Sequence, residues 1–431
     1  MASGARLVRR RDASAGSLRP RSAAVGWARR LLALVALAAL VTAMAGGSAL
    51  ARSSTAPATT KVTAVPKGFV GVDADGPLFA PQTPLNFSNQ VKSMVANGVQ
   101  SIRVAFSWAA AEPVENEDQI PAPYESYFTD VDGHPIDFSA TDAVVDAAAR
   151  LHVTILPTIL YTPSWDAERN PTGIAMPKRD APYAAYAAAL VQRYGPGGVF
   201  WSEHPGLPQV PITMVQIWNE PNIAYYWKQP FAKGYVALLR AAHQAIKAAD
   251  PSVQVVLGSL TNFAWKSIGQ IYELGNTRSL FDIVAVNAFT QTPADVMLYL
   301  RLMRNAMSHF DDGKKPLLAT ELSWPSAVGK TSQKYDFNTT PAGQARDIAQ
   351  LLPLIGQQRV SLGLAGFYYY TWIGNETPPQ PLAFNYAGLL RYDNGKVSVK
   401  PALGAFKTGA LALEQCRQKG SVATSCLSPA S

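Results

Sequence analysis

Cysteine is nearly absent from this chain, with two residues, Cys416 and Cys426, in a length of 431. That excludes a disulfide scaffold and a multi-cysteine metal site. Histidine is almost as sparse. The five, at 134, 152, 204, 243 and 309, are scattered with no pair at ligand spacing, so neither a metal nor a cofactor is expected. The nucleotide signatures are missing too. No G-x-G-x-x-G follows the first apolar run, and no G-x-x-x-x-G-K-[ST] occurs. Nor does G-x-S-x-G, so a hydrolase serine of the nucleophile-elbow kind has no support. Charged residues are only 16%, but hydrophobic residues are 48%, enough to bury a core.

The net charge of +8 is misleading. Eight arginines and a single acid, Asp12, lie in residues 1–51, so that segment carries +7 and the rest of the chain +1. The body is near neutral, and no nucleic-acid partner is expected. Residues 1–30 are arginine-rich, Leu31 to Ala45 are uninterruptedly small and apolar, and Ser48-Ala49-Leu50-Ala51 offers small residues for a signal peptidase. This reads as a signal peptide over 1–51, with an uncleaved anchor as the alternative. Fifteen helical residues span roughly 22 Å, short of a hydrocarbon core of about 30 Å. Any membrane contact is expected through this segment alone. Residues 52–66, rich in Ser, Thr, Ala and Pro, read as a linker or a disordered stretch. In an exported chain Cys416 and Cys426 are expected to pair within a tail over 414–431, free thiols being the alternative.

Between 67 and 413, short apolar runs alternate with helical patterns. Strands are expected at 68–73, 101–108, 153–160, 212–218, 253–260, 282–287, 316–321 and 364–372. Helices are expected at 86–99, 138–151 (capped by Ser139 or Thr141), 181–194, 234–249, 265–274, 295–310, 342–355 and 401–413. Eight β-then-α units with continuously apolar strands predict an α/β fold, the (β/α)8 TIM barrel. Residues 111–137 read as a loop.

Active sites of such barrels lie at the C-terminal ends of the strands. There the sequence places Asp73 and Asp75, Arg103, Glu112, Asn219 and Glu220, Asn287, Glu321, and Glu376. Asp73, Asp75, Glu112 and Glu376 read as structural or solvated carboxylates, though each could bind hydroxyls. Five of the nine tryptophans (108, 165, 218, 324 and 372) fall on the same rim, which would suit stacking on sugar rings. Glu220 and Glu321 end strands four and seven, on roughly opposite sides of an eight-strand ring, as a pair flanking a scissile bond would.

The run Trp218-Asn219-Glu220-Pro221-Asn222, with Thr320-Glu321 following on strand seven, resembles the clan A retaining glycoside hydrolases, most closely the family 39 and family 5 barrels. The resemblance covers about Gly68 to Leu413. It implies Glu220 as acid/base and Glu321 as nucleophile of a double displacement. It implies an Arg103 that keeps the nucleophile ionised, an Asn219 that binds the sugar 2-hydroxyl, and a Trp372 that floors the cleaved sugar's subsite. Trp165, Asn287 and Trp324 are the further expected contacts to substrate. One departure is that Asn287-Ala288-Phe289 stands where many clan members carry a tyrosine touching the nucleophile. The expected protein is therefore an exported β-glycosidase, monomeric, secreted or held at a bacterial cell envelope, acting on an oligosaccharide or polysaccharide. A non-catalytic carbohydrate-binding barrel of the envelope is the alternative.

Overall fold

The computed structural model describes residues 65–80 and 83–414. The signal segment, nearly all of the linker and the cysteine-bearing tail lie outside the described residues.

Eight parallel strands carry the fold: β1 (Val70–Asp73), β2 (Ser101–Ser107), β3 (Thr154–Leu160), β4 (Met214–Ile217), β5 (Gln254–Val256), β6 (Val284–Asn287), β7 (Leu317–Leu322) and β8 (Leu364–Tyr369). They pair in the order β6-β7-β8-β1-β2-β3-β4-β5. Bridges Val256↔Ile283 and Leu260↔Val286 join β5 to β6, so the sheet returns on itself as the expected barrel. The helices alternate with the strands: α1 (Phe87–Ala96), α2 (Ser139–Ala149), α3 (Asp180–Tyr194), α4 (Ala232–Ala249), α5 (Ala264–Tyr272), α6 (Pro293–His309), α7 (Pro341–Leu362) and α8 (Pro401–Leu413).

The eight strands are buried on both faces apart from Ala105, Gln254 and Ala365, which explains the absence of polar alternation in their sequences. Inside the barrel, Leu156, Val256, Ile283, Ala285, Leu318 and Tyr368 form a plug. Outside, the apolar sides of the helices close a larger core. Tyr368 fits inside because its neighbour on β1 is a glycine. A Cβ on Gly71 would stand 2.4 Å from the Tyr368 ring.

Several local expectations are corrected. Strand five was expected over 253–260 but is regular only over Gln254–Val256. The Tyr235 hydroxyl of α4 interrupts it, accepting from the Gly258 amide at 2.6 Å and donating to the Ile217 carbonyl at 3.0 Å. Helix α2 is not capped by Ser139 or Thr141. Asp137 Oδ1 accepts from the Ser139 amide at 2.8 Å, and the Thr141 hydroxyl turns inward to the Tyr194 hydroxyl at 2.6 Å. Residues 111–137 are not all loop. Phe128–Val131 and His134–Asp137 pair as an antiparallel hairpin through Asp132 and Gly133, both at positive φ. A second hairpin, Leu390–Asp393 with Lys396–Val399, turns on Asn394-Gly395 and pairs with Ile373–Asn375 beyond β8. Helix α7 runs on past 355 to Leu362, where Gly363 ends it in the left-handed conformation.

Candidate active site

The register of the barrel builds the centre of the site. Asp73 on β1 pairs directly with Arg103 on β2. Arg103 is 6% exposed, and its five N–H donors all find acceptors. Nη1 donates to Asp73 Oδ1 at 2.7 Å and to Glu321 Oε1 at 2.8 Å. Nη2 donates to Asn219 Oδ1 at 2.7 Å and to Ser259 Oγ at 3.4 Å, and Nε to Gln216 Oε1 at 2.7 Å. Gln216 is held in turn, accepting from the Thr158 hydroxyl at 2.9 Å and donating to Ser259 Oγ at 2.9 Å. One guanidinium thus ties the ends of strands one, four and seven, and the segment after strand five, to strand two.

The run after β4 has a job for each residue. Trp218 and Glu220 both sit at positive φ, 67° and 43°. Each such residue costs on the order of 1–3 kcal/mol unless its surroundings enforce it. Trp218 is enforced by burial: its Nε1–H donates to the Tyr226 carbonyl at 2.9 Å, and its ring meets Trp227 edge-on at 5.6 Å. Asn219 faces Arg103. Asn222 clamps the segment by donating to the Thr261 carbonyl at 2.8 Å and to Ser267 Oγ at 3.1 Å. The strained turn between these anchors delivers the Glu220 carboxyl inward.

Glu220 and Glu321 are both buried, each 8% exposed. Asn287 at the end of β6 stands between them. Its Nδ2–H donates to Glu220 Oε1 at 2.8 Å, and its backbone is in register with Glu321 on β7. Thr320 fixes that amide's orientation, its hydroxyl lying 2.9 Å from Asn287 Oδ1.

The two carboxyls are electrostatically unlike. Burial pushes Glu220 up to about 8, the negative charge of Glu321 adds to the rise, and Asn287 and Arg103 only partly offset it. Burial raises Glu321 as well, but there the Arg103 guanidinium works against it, both as a charge and as a donor. The arrangement favours a proton on Glu220 and a charge on Glu321, the division that an acid and a nucleophile need.

A cavity of about 190 Å³ opens over Glu321, lined also by Asp73, Asp75, Arg103, Tyr161, Asn219, Tyr226 and Tyr370. Of the expected residues, Arg103, Asn219 and Glu321 line this cavity, while Glu220 and Asn287 lie beside it, bonded to each other, and are not among its lining residues. The structure does not place Trp165, Trp324 or Trp372 on this cavity. The expected tryptophan rim is corrected. Trp108, Trp218, Trp324 and Trp372 are each at most 1% exposed, with no face open to a ligand. Their ring N–H groups serve the scaffold: Trp372 Nε1 donates to Gln90 Oε1 at 3.0 Å and Trp324 Nε1 to the Thr290 carbonyl at 2.9 Å. Trp165 is half-buried, its Nε1 donating to the Glu112 carbonyl at 2.9 Å. The aromatic faces on the cavity are tyrosines instead, Tyr161, Tyr226 and Tyr370. The sequence places Tyr161 at the end of strand three, but Tyr226 and Tyr370 were missed because the runs Tyr225-Tyr226 and Tyr368-Tyr369-Tyr370 carry no motif, although Tyr370 directly follows a strand end.

Of the rim carboxylates, Glu112 and Glu376 are structural. Glu112 holds Trp108 and His134, each at 2.7 Å, and Glu376 holds Lys400 at 3.1 Å and Lys330 at 3.3 Å. Phe289, at the position of the departure, stacks on Phe337 at 5.7 Å and brings no hydroxyl. Tyr226 and Tyr370, in the segments after strands four and eight, line the cavity with Glu321 instead.

A (β/α)8 barrel with carboxyls at the ends of strands four and seven is the arrangement that defines the clan A glycoside hydrolases, and the chain resembles them. The model of Glycosyl hydrolase family 53 matches residues 207–398, which include both glutamates. The match is to a family other than the 39 and 5 that the motif brought forward. The chain is also similar to a β-xylosidase of Geobacillus stearothermophilus, 34% identical over 53 residues, and spans about a tenth of that relative's length. In fold it is similar to a monomeric β-xylosidase from Caulobacter crescentus CB15, with TM-score 0.55 and 18% identity over 80% of this chain and 68% of the other. It is likewise similar to the family 53 catalytic domain of Ignisphaera aggregans, with TM-score 0.51 and 21% identity over 80% of this chain and 97% of that one.

Proposed function

We propose that this chain is a retaining β-glycoside hydrolase. Glu321 attacks the anomeric carbon from the floor of the cavity while Glu220 protonates the departing oxygen. Glu220 then takes a proton from the water that releases the sugar. The observation that carries the reading is the contrast between the two buried carboxyls, one bonded to a guanidinium at 2.8 Å and the other to an amide at 2.8 Å. The reading requires the two carboxyls to stand about 5–5.5 Å apart, the separation that a double displacement uses. Asn219 lies beside Glu321 on the same guanidinium, where its amide can meet the 2-hydroxyl.

The substrate is a carbohydrate, and β-xylosides head the candidates because two of the similar proteins are named for them. The arginine-rich and apolar segment at 1–51 supports export to the envelope or the medium, with the mature chain beginning at Arg52. N-terminal sequencing of secreted protein checks the latter. The activity is tested on a panel of aryl β-glycosides, following the anomeric proton by NMR. Retention of configuration is expected. Inverted product from the unmodified chain would rule out a covalent intermediate on Glu321.

A further inference from the structure

Tyr226 lines the catalytic cavity, and the next residue, Trp227, lines a different and larger hollow of about 340 Å³. This hollow lies where Asp180 opens α3 and where Gly234 and Ala237 stand in the first turns of α4. Met176 and Trp227, both buried, give it apolar surface, while Lys178, Lys228 and Gln229 on its edge are exposed. Trp227 is 7% exposed. The other buried tryptophans, Trp108, Trp201, Trp218, Trp324 and Trp372, each donate the ring N–H to an acceptor. Trp227 Nε1 finds none among the described residues, and it is not among the atoms sealed away from solvent. It stays open because α4 presents a glycine there: a Cβ on Gly234 would stand 3.3 Å from Trp227 Nε1. A donor left unpaired on so buried a side chain calls for a partner from outside the chain.

We propose that this hollow is a second carbohydrate site, separate from the catalytic cavity, holding one or two residues of a neutral glycan chain. The class of ligand rests on the glycosidase reading. Two lysines, Lys178 and Lys228, face two acids, Glu168 and Asp180, and Lys228 Nζ lies 3.6 Å from Glu168 Oε1. A charged ligand of either sign would meet as much repulsion as attraction. A hydroxyl both donates and accepts, so it can answer an indole N–H, an ammonium and a carboxyl alike. Gln229 spends its Nε2 on the Pro221 and Trp227 carbonyls, at 3.1 and 2.8 Å, which leaves its Oε1 to accept. The apolar surface suits the C–H faces of a sugar ring. The space suits one or two rings: the hollow holds about 340 Å³, and a protein cavity of roughly 150 Å³ takes one benzene. Neither Glu220 nor Glu321 lines it, so it holds a chain without cutting it. A polymer held there keeps its neighbouring residues at high local concentration around the catalytic mouth.

The test keeps binding and turnover apart. Glu321→Ala, which should not cleave, is run by affinity electrophoresis through soluble xylan, galactan, mannan and β-glucan, and through polygalacturonate as the charged comparison. At least one neutral polymer should retard it, and polygalacturonate should not. Adding Gly234→Ala covers the indole N–H with a methyl group, and adding Trp227→Phe removes it. Each should weaken the retardation about 3- to 10-fold, the worth of a neutral hydrogen bond. Alanine suits a helix better than glycine, so the first variant should fold at least as well as the parent. In the otherwise unmodified chain, Gly234→Ala should leave kcat/KM on an aryl monosaccharide glycoside within about twofold and lower it on the retarding polymer by about 3- to 10-fold. Unchanged retardation in both variants would overturn the proposal. So would an equal loss on aryl glycoside and polymer, which would make the hollow a support for the catalytic turn. Retardation by no neutral polymer, or chiefly by polygalacturonate, would overturn it as well. If no glycoside is cleaved but Gly234→Ala still weakens retardation, the glycosidase reading fails and the binding site stands.

Discussion

The two central glutamates share a residue type and a depth of burial, and differ in their nearest neighbour. Glu321 has a guanidinium and Glu220 an amide. The consequence is a pH profile. Glu220 acts as an acid only while protonated, so kcat/KM should fall as pH rises through about 8, where burial has moved its titration. On activated aryl glycosides, which need little proton donation, that alkaline fall should be shallow. On the proposed reading the acid side of the profile would belong to Glu321, which would have to be ionised to attack. Substitution separates the roles further. Glu321→Ala should abolish turnover on every substrate, with added azide giving product of inverted configuration. Glu220→Ala should lose about 10²- to 10⁴-fold on poor leaving groups. On activated substrates it should accumulate a glycosyl-enzyme that azide releases with retention. Stopped-flow absorbance and anomeric NMR distinguish the two outcomes.

Among elements, the strands of the barrel were legible because parallel strands covered on both sides must be apolar throughout, and eight such runs alternate with helical patterns. The carboxyls were legible because the ends of strands are where side chains can leave the barrel wall. The interruption of strand five was not, since it comes from the hydroxyl of Tyr235, on the preceding helix, and sequence does not show that this side chain reaches Gly258. The two hairpins could have been read from Asp132-Gly133 and Asn394-Gly395, a turn pair that prefers positive φ at both positions. The tryptophans misled for a definite reason. A large ring near a strand end can face the cavity or the helix layer, and sequence position does not choose between them. Gly71 tests the packing of the strand layer. Gly71→Ala must push its Cβ into the Tyr368 ring, and overpacking of this kind costs about 1–3 kcal/mol. Urea unfolding should show the loss, and adding Tyr368→Leu should recover part of it.

For the whole molecule, the burial of Glu220 links activity to stability. Its native titration point lies above the ordinary carboxylate value, so the folded state holds this proton more tightly than the unfolded state does. The stabilisation from the bound proton is complete below the unfolded value, about 4.3. It is lost as pH rises towards 8. Glu220→Gln cannot titrate, so its melting temperature should fall less than that of the unmodified chain between pH 5 and 8. The gap in its favour should widen across that window in calorimetric scans. A variant that melts in parallel with the parent would show that Glu220 is not charged at the expense of the fold.

The plug of Leu156, Val256, Ile283, Ala285, Leu318 and Tyr368 makes the cavity a cup with one mouth. Traffic through such a site is ordered. With one ring lodged over Glu321, the departing group occupies the passage by which water must arrive, so the first product has to clear before the second step begins. Whatever molecule next enters the mouth is then the acceptor. A simple alcohol such as methanol, at a few molar, should compete with water there and divert turnover to the methyl glycoside, with the free aryl group released at an undiminished or increased rate. The partition ratio, measured by product chromatography, would report how freely that single passage refills.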